Sequence, residues 1–548
     1  MFESISVIGQ RRRFLLAQLA LLVMLSSTSR AIPAFARMYG TSCSTCHLDF
    51  PQLNDFGKAF KDAGFKFPEN DKSMLQIPPV MLGTPSSKEL WPKAIWPGTI
   101  PGMPPISFRY TTYFQYTGSS SSKFDALTPP GSLPPFVPAT DFETGLFSLF
   151  TAGNFGSDIA FWVNNDLSVA GGNANGGLGD AYLRFVDIGR FLKLPKNMLS
   201  LRVGQFELDL PFSLVRTIWV SPYDIYIQSN IGVINPLFSQ QFVNNRFALA
   251  ETGKGVEVSG GLHTGGYNYS IAVINQNTGG DVGFSPYVPT ALGSNKGGLG
   301  VQSNANFKDL YASFNYRFNL ERDKASRNAI QAAGPIGPHD HTYLNFGAYY
   351  LYGRSEQRLL GEVGGTAAVL TAHEPFYRVG GNMTFNYRCC LQFNALYMFG
   401  HDANQLPVDA SGALIPLQSL GQTVPAGFVP GRAATFSGGF VDVEWLAFPW
   451  MMVLMRYDGV NSSSDRINAL ITNPSFTGAP FNAAFSSTRN RFTPGVQFLI
   501  HANIKAVFEY QFRPSQSVTI AKNPATGLPM AFDPFHTNTV VFGLDFDY

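Results

Sequence analysis

Charge is scarce in this chain of 548 residues: Asp, Glu, Lys and Arg together make up 14%. Soluble globular proteins carry closer to a quarter. Thiols and imidazoles are scarcer, with 4 Cys and 8 His, so a disulfide-stapled scaffold is excluded. No apolar run after Leu25 approaches the length of a membrane-crossing helix, which excludes helical spans. The formal charge is +2 and no basic cluster follows Arg13, so nucleic-acid binding has no support.

Aromatic residues are plentiful: 14% of the chain, with 48 Phe and 22 Tyr, alongside 54 Gly. That is too apolar for disorder. A transmembrane β-barrel accounts for it, because each strand alternates lipid-facing apolar residues with polar lumen residues. A water-soluble β-sandwich array is the competing explanation. The last ten residues favour the barrel. Val540, Phe542, Leu544, Phe546 and Tyr548 share one face, and Thr539, Val541, Gly543, Asp545 and Asp547 share the other. This amphipathic strand has the length to cross a bilayer and ends on an aromatic residue. The same period-two template finds sixteen strands from Phe108 onward, with fourteen and eighteen as neighbouring counts. Short turns such as 154–156 and 262–265 alternate with long Gly/Pro/Ser/Asn-rich connections such as 209–250 and 276–306, as periplasmic turns alternate with extracellular loops.

The N-terminus has secretory signal order: Arg11, Arg12 and Arg13, then apolar Phe14 to Leu25, then small residues. Cleavage is expected after Ala31, with Ala36 as the second candidate. The resulting division is a signal peptide over 1–31, a small segment over 32–67, a connector over 68–107 and a barrel over 108–548. The connector holds nine prolines with Trp91 and Trp96 and reads as extended and semi-rigid.

The small segment carries the chemistry. Cys43-Ser44-Thr45-Cys46-His47 has the Cys-x-x-Cys-His spacing of a c-type haem attachment site. Two thiols so spaced can each form a thioether to the porphyrin, and the adjacent imidazole becomes an axial iron ligand. A disulfide or half of a zinc site would use the same letters, but no further Cys or His occurs before His263. One covalent haem c is therefore expected on Cys43, Cys46 and His47. Pro51 to Ala63 reads as a helix, with Pro51 in its first turn and Gly64 as its stop. Leu53, Phe56 and Phe60 form one apolar stripe, expected to lie against the haem. For the sixth ligand Met81 is favoured over Met74, with Met38 and Met103 as other local thioethers and an open position as a further alternative. So small a segment cannot bury a haem alone, and docking into or against the barrel is expected to complete its pocket.

Other constellations are weaker. Cys389-Cys390 is placed in a strand, with side chains on opposite faces. His339-Asp340-His341 reads as a solvated turn, and loop acids such as Asp402 and Asp409 as solvated charges.

The combination resembles the fused outer-membrane cytochrome–porin family associated with iron-oxidising bacteria. The resemblance rests on Pro33-Ala34-Phe35-Ala36-Arg37, Cys43 to His47, Pro51-Gln52-Leu53 and Gly57-Lys58-Ala59-Phe60. It covers the small segment in motif detail and the remainder in architecture. Met38-Tyr39 stands where the iron oxidisers usually show Gln-Thr, and a related cytochrome–porin group with another donor fits equally. The resemblance implies an outer-membrane electron carrier without bond-making catalysis, an Fe(II):cytochrome oxidoreductase if Fe(II) is the donor. Its expected partners are outer-membrane lipid, a periplasmic electron-carrier cytochrome and an extracellular redox partner such as Fe(II). The haem segment would be periplasmic or inside the barrel. The alternative function is a porin-like solute channel in which the haem segment is a plug, sensor or stabiliser.

Overall fold

A computed structural model describes residues 34–67, 71–83, 85–93, 99–102, 105–117, 140–156, 158–169, 177–213, 216–221, 223–228, 252–275, 307–320, 342–363, 366–388, 390–403, 433–462, 488–501, 503–512 and 538–547. The signal peptide, His339 to His341, Cys389, Met103 and Asp409 lie outside these residues.

Sixteen antiparallel strands close into one barrel. They are β5 (Ile106–Thr117), β6 (Thr140–Phe155), β7 (Ile159–Val169), β8 (Gly177–Phe185) and β9 (Ser200–Phe206). Next come β10 (Gly253–Gly261), β11 (Gly266–Ile274), β12 (Asp309–Asn319), β13 (Tyr343–Val363), β14 (Thr366–Tyr387) and β15 (Leu391–Asp402). The last five are β16 (Ala434–Phe448), β17 (Met451–Ser462), β18 (Thr488–His501), β19 (Ile504–Gln511) and β20 (Thr539–Asp547). Closure is made by β20 on β5, where Asp547 stands opposite Arg109 and Thr539 opposite Thr117. Every expected strand is present.

Alternation gives the wall its two faces. On β12, Asp309, Tyr311, Ser313 and Arg317 are buried, whereas Leu310, Phe314, Tyr316 and Phe318 are exposed. On β20, Val541, Asp545 and Asp547 point inward and Phe542 and Leu544 outward. Large apolar side chains cover the outside and polar ones the inside, the reverse of a soluble β-barrel and the pattern lipid requires.

β13 and β14 run 21 and 22 residues and pair down to Val363 opposite Thr366. The sequence pattern ended at 353 and resumed at 375, because apolar alternation exists only where one face meets lipid. Beyond the bilayer the ladder continues without it. Cys390 also departs from expectation. It lies in the turn between Tyr387 and Leu391, after Arg388 at φ 51°, and outside any strand. Asp402, read as a solvated loop acid, is buried at the end of β15 with Arg378 2.5 Å away.

The N-terminal segment forms α1 (Ala34–Tyr39), a 3₁₀ turn (Cys43–Thr45), β1 (His47–Asp49), β2 (Gln52–Leu53) and α2 (Asp55–Asp62). The connector is less extended than its prolines suggested. It contains α3 (Asp71–Met74), β3 (Val80–Met81), α4 (Pro85–Leu90) and β4 (Thr99–Ile100), with β3 paired to β4.

Candidate functional site

The Cys-x-x-Cys-His turn is held by one residue that the sequence reading passed over. Asn54 caps α2, its side chain accepting from Gly57 N at 2.8 Å. The same side chain donates to the carbonyls of Thr45 (3.1 Å) and Ser44 (3.3 Å), and Asn54 N donates to Cys46 O at 2.9 Å. Because Asn54 is the cap, α2 begins at Asp55 and Pro51 stands outside it; Gln52 and Leu53 instead pair with His47 and Asp49. The stop falls where expected, with Gly64 left-handed at φ 75°. Gly57 lets the helix touch the motif: a Cβ there would run into the Cys46 carbonyl and lie 2.9 Å from Leu53 Cδ2.

Cys43 and Cys46 are half-buried and not joined to each other. Burial pushes the Cys43 thiol up to about 11, helped by the Asp547 carboxylate, and the Cys46 thiol up to about 12. Burial lowers His47 to about 4, against the pull of the nearby Gln52 and Pro51 carbonyls, so its imidazole is neutral at physiological pH. Some of the unmet buried polar atoms lie here. His47 Nδ1, both carboxylate oxygens of Asp49 and Gln52 Oε1 are buried without a hydrogen-bond partner. A zinc reading gains nothing, since no cluster of three or more His, Cys, Asp or Glu among the described residues could hold a metal. Two free thiols beside a neutral imidazole whose ring nitrogen lacks a partner fit a covalently attached haem. Cys43 and Cys46 would carry it and His47 would ligate its iron.

The apolar stripe is distributed unevenly. Phe60 is buried in an aromatic cluster, with ring centroids 5.0 Å from Phe35, 5.7 Å from Tyr39 and 6.1 Å from Phe67. Phe56 packs at its edge against Phe67 at 5.0 Å, while Leu53 lies half-buried beside Gly57. Met38 and Met74 pack on the same cluster. Met81 is 64% exposed on the short β3–β4 ladder.

The segment is seated in the mouth of the barrel at the short-turn end. Its contacts run round the wall. Ala34 N donates to Ser107 Oγ on β5 at 2.8 Å, and Arg109 of the same strand lies 5.2 Å from the Phe50 ring. Phe65 packs on Trp162 of β7 at 5.6 Å, and Arg184 of β8 donates to Lys61 O at 3.0 Å. Arg317 of β12 grips Asp55 with two bonds of 2.6 Å, its guanidinium 3.5 Å from the Tyr343 ring. Gln52 donates to Glu444 of β16 at 2.6 Å, and Lys505 of β19 donates to Phe50 O. In the β10–β11 turn, His263 meets Asp62 through Nδ1 at 2.7 Å and its backbone N at 3.1 Å. Inward charges on strands are visible in the sequence as polar residues between aromatic neighbours. Their partners, some 260 residues away for Asp55 and Arg317, are not.

Deeper in, a second segment packs against the inside of the wall. After β9 the described residues 207–213, 216–221 and 223–228 lie inside the barrel, the last of them including α5 (Asp224–Gln228). Val220 N and Ser221 N donate to Glu509, Asp224 N donates to Asp458 at 3.1 Å, and Arg491 pairs with Asp224 at 3.0 Å. Ile218, Trp219, Tyr223, Ile225 and Tyr226 are buried with inward apolar residues of the wall, Tyr223 stacking on Phe440 at 4.1 Å. The connection 209–250 has the composition of an external loop, yet Ile218, Trp219, Tyr223, Ile225 and Tyr226 within it form an apolar core inside the barrel. Trp162 touches both this core and the Phe60 cluster, so packing is continuous between the two inserted segments.

No protein-family model matches the chain, and no curated protein matches it. Solved structures do. An anion-selective porin from Comamonas acidovorans aligns with 9% identity and a TM-score of 0.44, covering 81% of this chain and 98% of the porin. The outer-membrane channel DcaP of Acinetobacter baumannii aligns at 11% identity and a TM-score of 0.42, over 81% and 96% of the two chains. OmpT, an outer-membrane protein of Vibrio cholerae, aligns at 8% identity and a TM-score of 0.40, over 81% and 98%. The architecture itself is established by this chain's own closed ladder and its two faces: a sixteen-stranded antiparallel barrel of the porin-like, outer-membrane type.

Proposed function

We propose that this is an outer-membrane electron-transfer protein, in which a single c-type haem on Cys43, Cys46 and His47 serves an extracellular redox partner and a periplasmic cytochrome. One observation carries the reading: a haem-attachment motif with free thiols and a neutral imidazole is built into a segment seated in the barrel mouth. Bound there, haem supplies reversible one-electron chemistry. The chain's part is positional. Asn54 and Gly57 hold the motif turn on α2, and Arg317, His263, Glu444 and Lys505 hold the segment in the wall. Burial keeps the His47 lone pair unprotonated for iron. Fe(II) is one candidate donor; a larger extracellular reductant is served equally.

The competing reading is a solute channel with the haem segment as plug. It requires a continuous water path, and the described residues of 207–228 place an apolar core inside the barrel. Both readings can be tested in vesicles with the holoprotein inserted in one orientation. An external reductant too bulky to enter the lumen should reduce the haem, and planar-bilayer recordings should lack the stepwise conductance of an open porin. Haem reduced only by small permeant reductants, together with porin-like conductance, would refute the electron-transfer reading and support the channel.

A further inference from the structure

The connection between β8 and β9 is long for the short-turn end of the barrel, fourteen residues between Phe185 and Ser200. It is also built rigidly. Asp187, Lys193 and Asn197 take left-handed conformations at φ 54°, 57° and 64°. Leu194 N donates to Gly189 O at 3.0 Å, Asn197 N to the Asp187 carboxylate at 2.9 Å, and Asp187 N to Ser200 Oγ at 3.2 Å. A 3₁₀ turn over Ile188–Leu192 results. Three left-handed residues without a glycine are a local cost that mere strand connection does not require.

What the turn displays is apolar. Phe191 is 75% exposed, Leu192 67% and Leu194 40%. Every residue from Arg190 to Lys196 is exposed, so Arg190, Lys193 and Lys196 surround these side chains with cations. A water-facing turn gains nothing from presenting Phe-Leu-x-Leu to solvent.

Its contacts put it on the outer side of the wall. Tyr267 and Tyr269 share the outward parity of Ile271 and Val273 on β11, and their hydroxyls donate to Met198 Sδ and, at 2.8 Å, to Met198 O. On the other flank Arg190 pairs with Asp158 in the β6–β7 turn, beside the outward Phe155–Phe161 stack at 4.7 Å. The exposed apolar face therefore continues the aromatic collar at the periplasmic end of the lipid-facing belt.

We infer that residues 187–199 are an interfacial foot: Phe191, Leu192 and Leu194 enter the inner leaflet of the outer membrane, and Lys193 and Lys196 bind its anionic phospholipid headgroups, while Arg190 is held by Asp158. A rigid apolar face at the end of the belt, ringed by cations, has the composition of surface-lying membrane elements. Cations immediately beside the hydrocarbon boundary are attracted to anionic headgroups. The foot would fix the depth of the β8–β9 side of the wall, the side on which Phe65 and Lys61 of the N-terminal segment are held. This inference rests on the barrel alone and is independent of the electron-transfer reading.

The test is photolabelling of the full-length protein in phosphatidylethanolamine vesicles containing either phosphatidylglycerol or phosphatidylcholine, with a diazirine on the acyl chain of the second lipid. Peptides spanning 187–199 should label as strongly as the lipid-facing reference peptide carrying Trp445, Phe448 and Trp450. Labelling of the reference without labelling of 187–199 overturns the inference and leaves the face free for a periplasmic protein. Lys193→Glu combined with Lys196→Glu should cut labelling by phosphatidylglycerol several-fold and leave labelling by phosphatidylcholine unchanged. Equal labelling by both lipids in the wild-type protein would overturn the headgroup assignment.

Discussion

Replacing Arg317 by Met tests whether the barrel wall holds the motif-bearing segment. The Asp55–Arg317 pair is almost completely buried, with side chains 8% and 2% exposed and two bonds of 2.6 Å. Removing the guanidinium takes away the two shortest bonds to the Asp55 carboxylate and leaves the longer Lys58 contact at 3.7 Å, a loss of up to about 3–5 kcal/mol for a buried pair. The docking equilibrium should shift by up to about 100-fold to several thousand-fold toward the released segment. Cysteine reactivity in the haem-free protein reports it directly. At pH 8 a released thiol at the ordinary value of 9.0 is about 10% thiolate, whereas docked Cys43, pushed to about 11, is roughly 0.1%. Docked Cys46, pushed to about 12, is about tenfold lower again. Maleimide labelling at these two positions should therefore accelerate by one or more orders of magnitude in Arg317→Met, with Cys390 in the β14–β15 turn as the internal reference. Asp55→Asn added to Arg317→Met should restore much of the protection, because the buried carboxylate that lost its guanidinium is then replaced by a neutral amide. Unchanged labelling in the single variant, with the barrel folded, would refute the reasoning that this pair seats the segment.

Gly57→Ala places a methyl against the Cys46 carbonyl and 2.9 Å from Leu53 Cδ2, so the motif turn must move off α2. Overpacking of this kind costs about 1–3 kcal/mol, and covalent haem per folded barrel, read from pyridine haemochrome absorbance, should fall; an unchanged yield would show that the close approach is dispensable. The Asp62–His263 contact adds a pH dependence to docking. Asp62 raises the His263 pKa, so this contribution is complete below the ordinary value of 6.5 and lost as pH climbs through the raised one. It is also lost at acid pH, where Asp62, held down by His263, takes up a proton. Amide protection across Asp55–Asp62, corrected for intrinsic exchange rates, should decline as pH rises above neutrality, and His263→Gln should flatten that decline; a slope identical in both proteins would exclude this pair as its source.

The barrel was legible in the sequence because lipid imposes a rule on every strand. Leu310, Phe314, Tyr316 and Phe318 had to be apolar, and their positions alone mark β12. Where lipid no longer touches the chain the rule lapses, and the outer halves of β13 and β14 left no period to read. The Cys43–His47 motif was legible for a similar reason, since covalent chemistry fixes its spacing. The supports of that motif were not. Asn54 is an ordinary capping residue until its second role, binding the Ser44 and Thr45 carbonyls, is seen. Arg317 could be placed inside the lumen by parity, but its pairing with Asp55 depends on barrel closure and on where the segment lies within it.

The same physics explains why segment and barrel are one chain. Residues 34–67 alone offer two helices of six and eight residues and a small cluster of rings, too little apolar area to hold a fixed structure in water. A sixteen-stranded wall has the opposite problem, an interior wide enough for a water channel unless something fills it. Seating the segment at the short-turn mouth and packing the described residues of 207–228 inside the barrel addresses both at once. The wall supplies Ser107, Trp162, Arg184, His263, Arg317, Glu444 and Lys505 as partners around the segment, and the inserted residues supply the apolar core. Each partner comes from a different strand or turn, so no single contact can be satisfied in a rotated or tilted position without breaking others. If the motif carries haem, its attachment residues Cys43, Cys46 and His47 are held at one place in the barrel mouth by that set of partners.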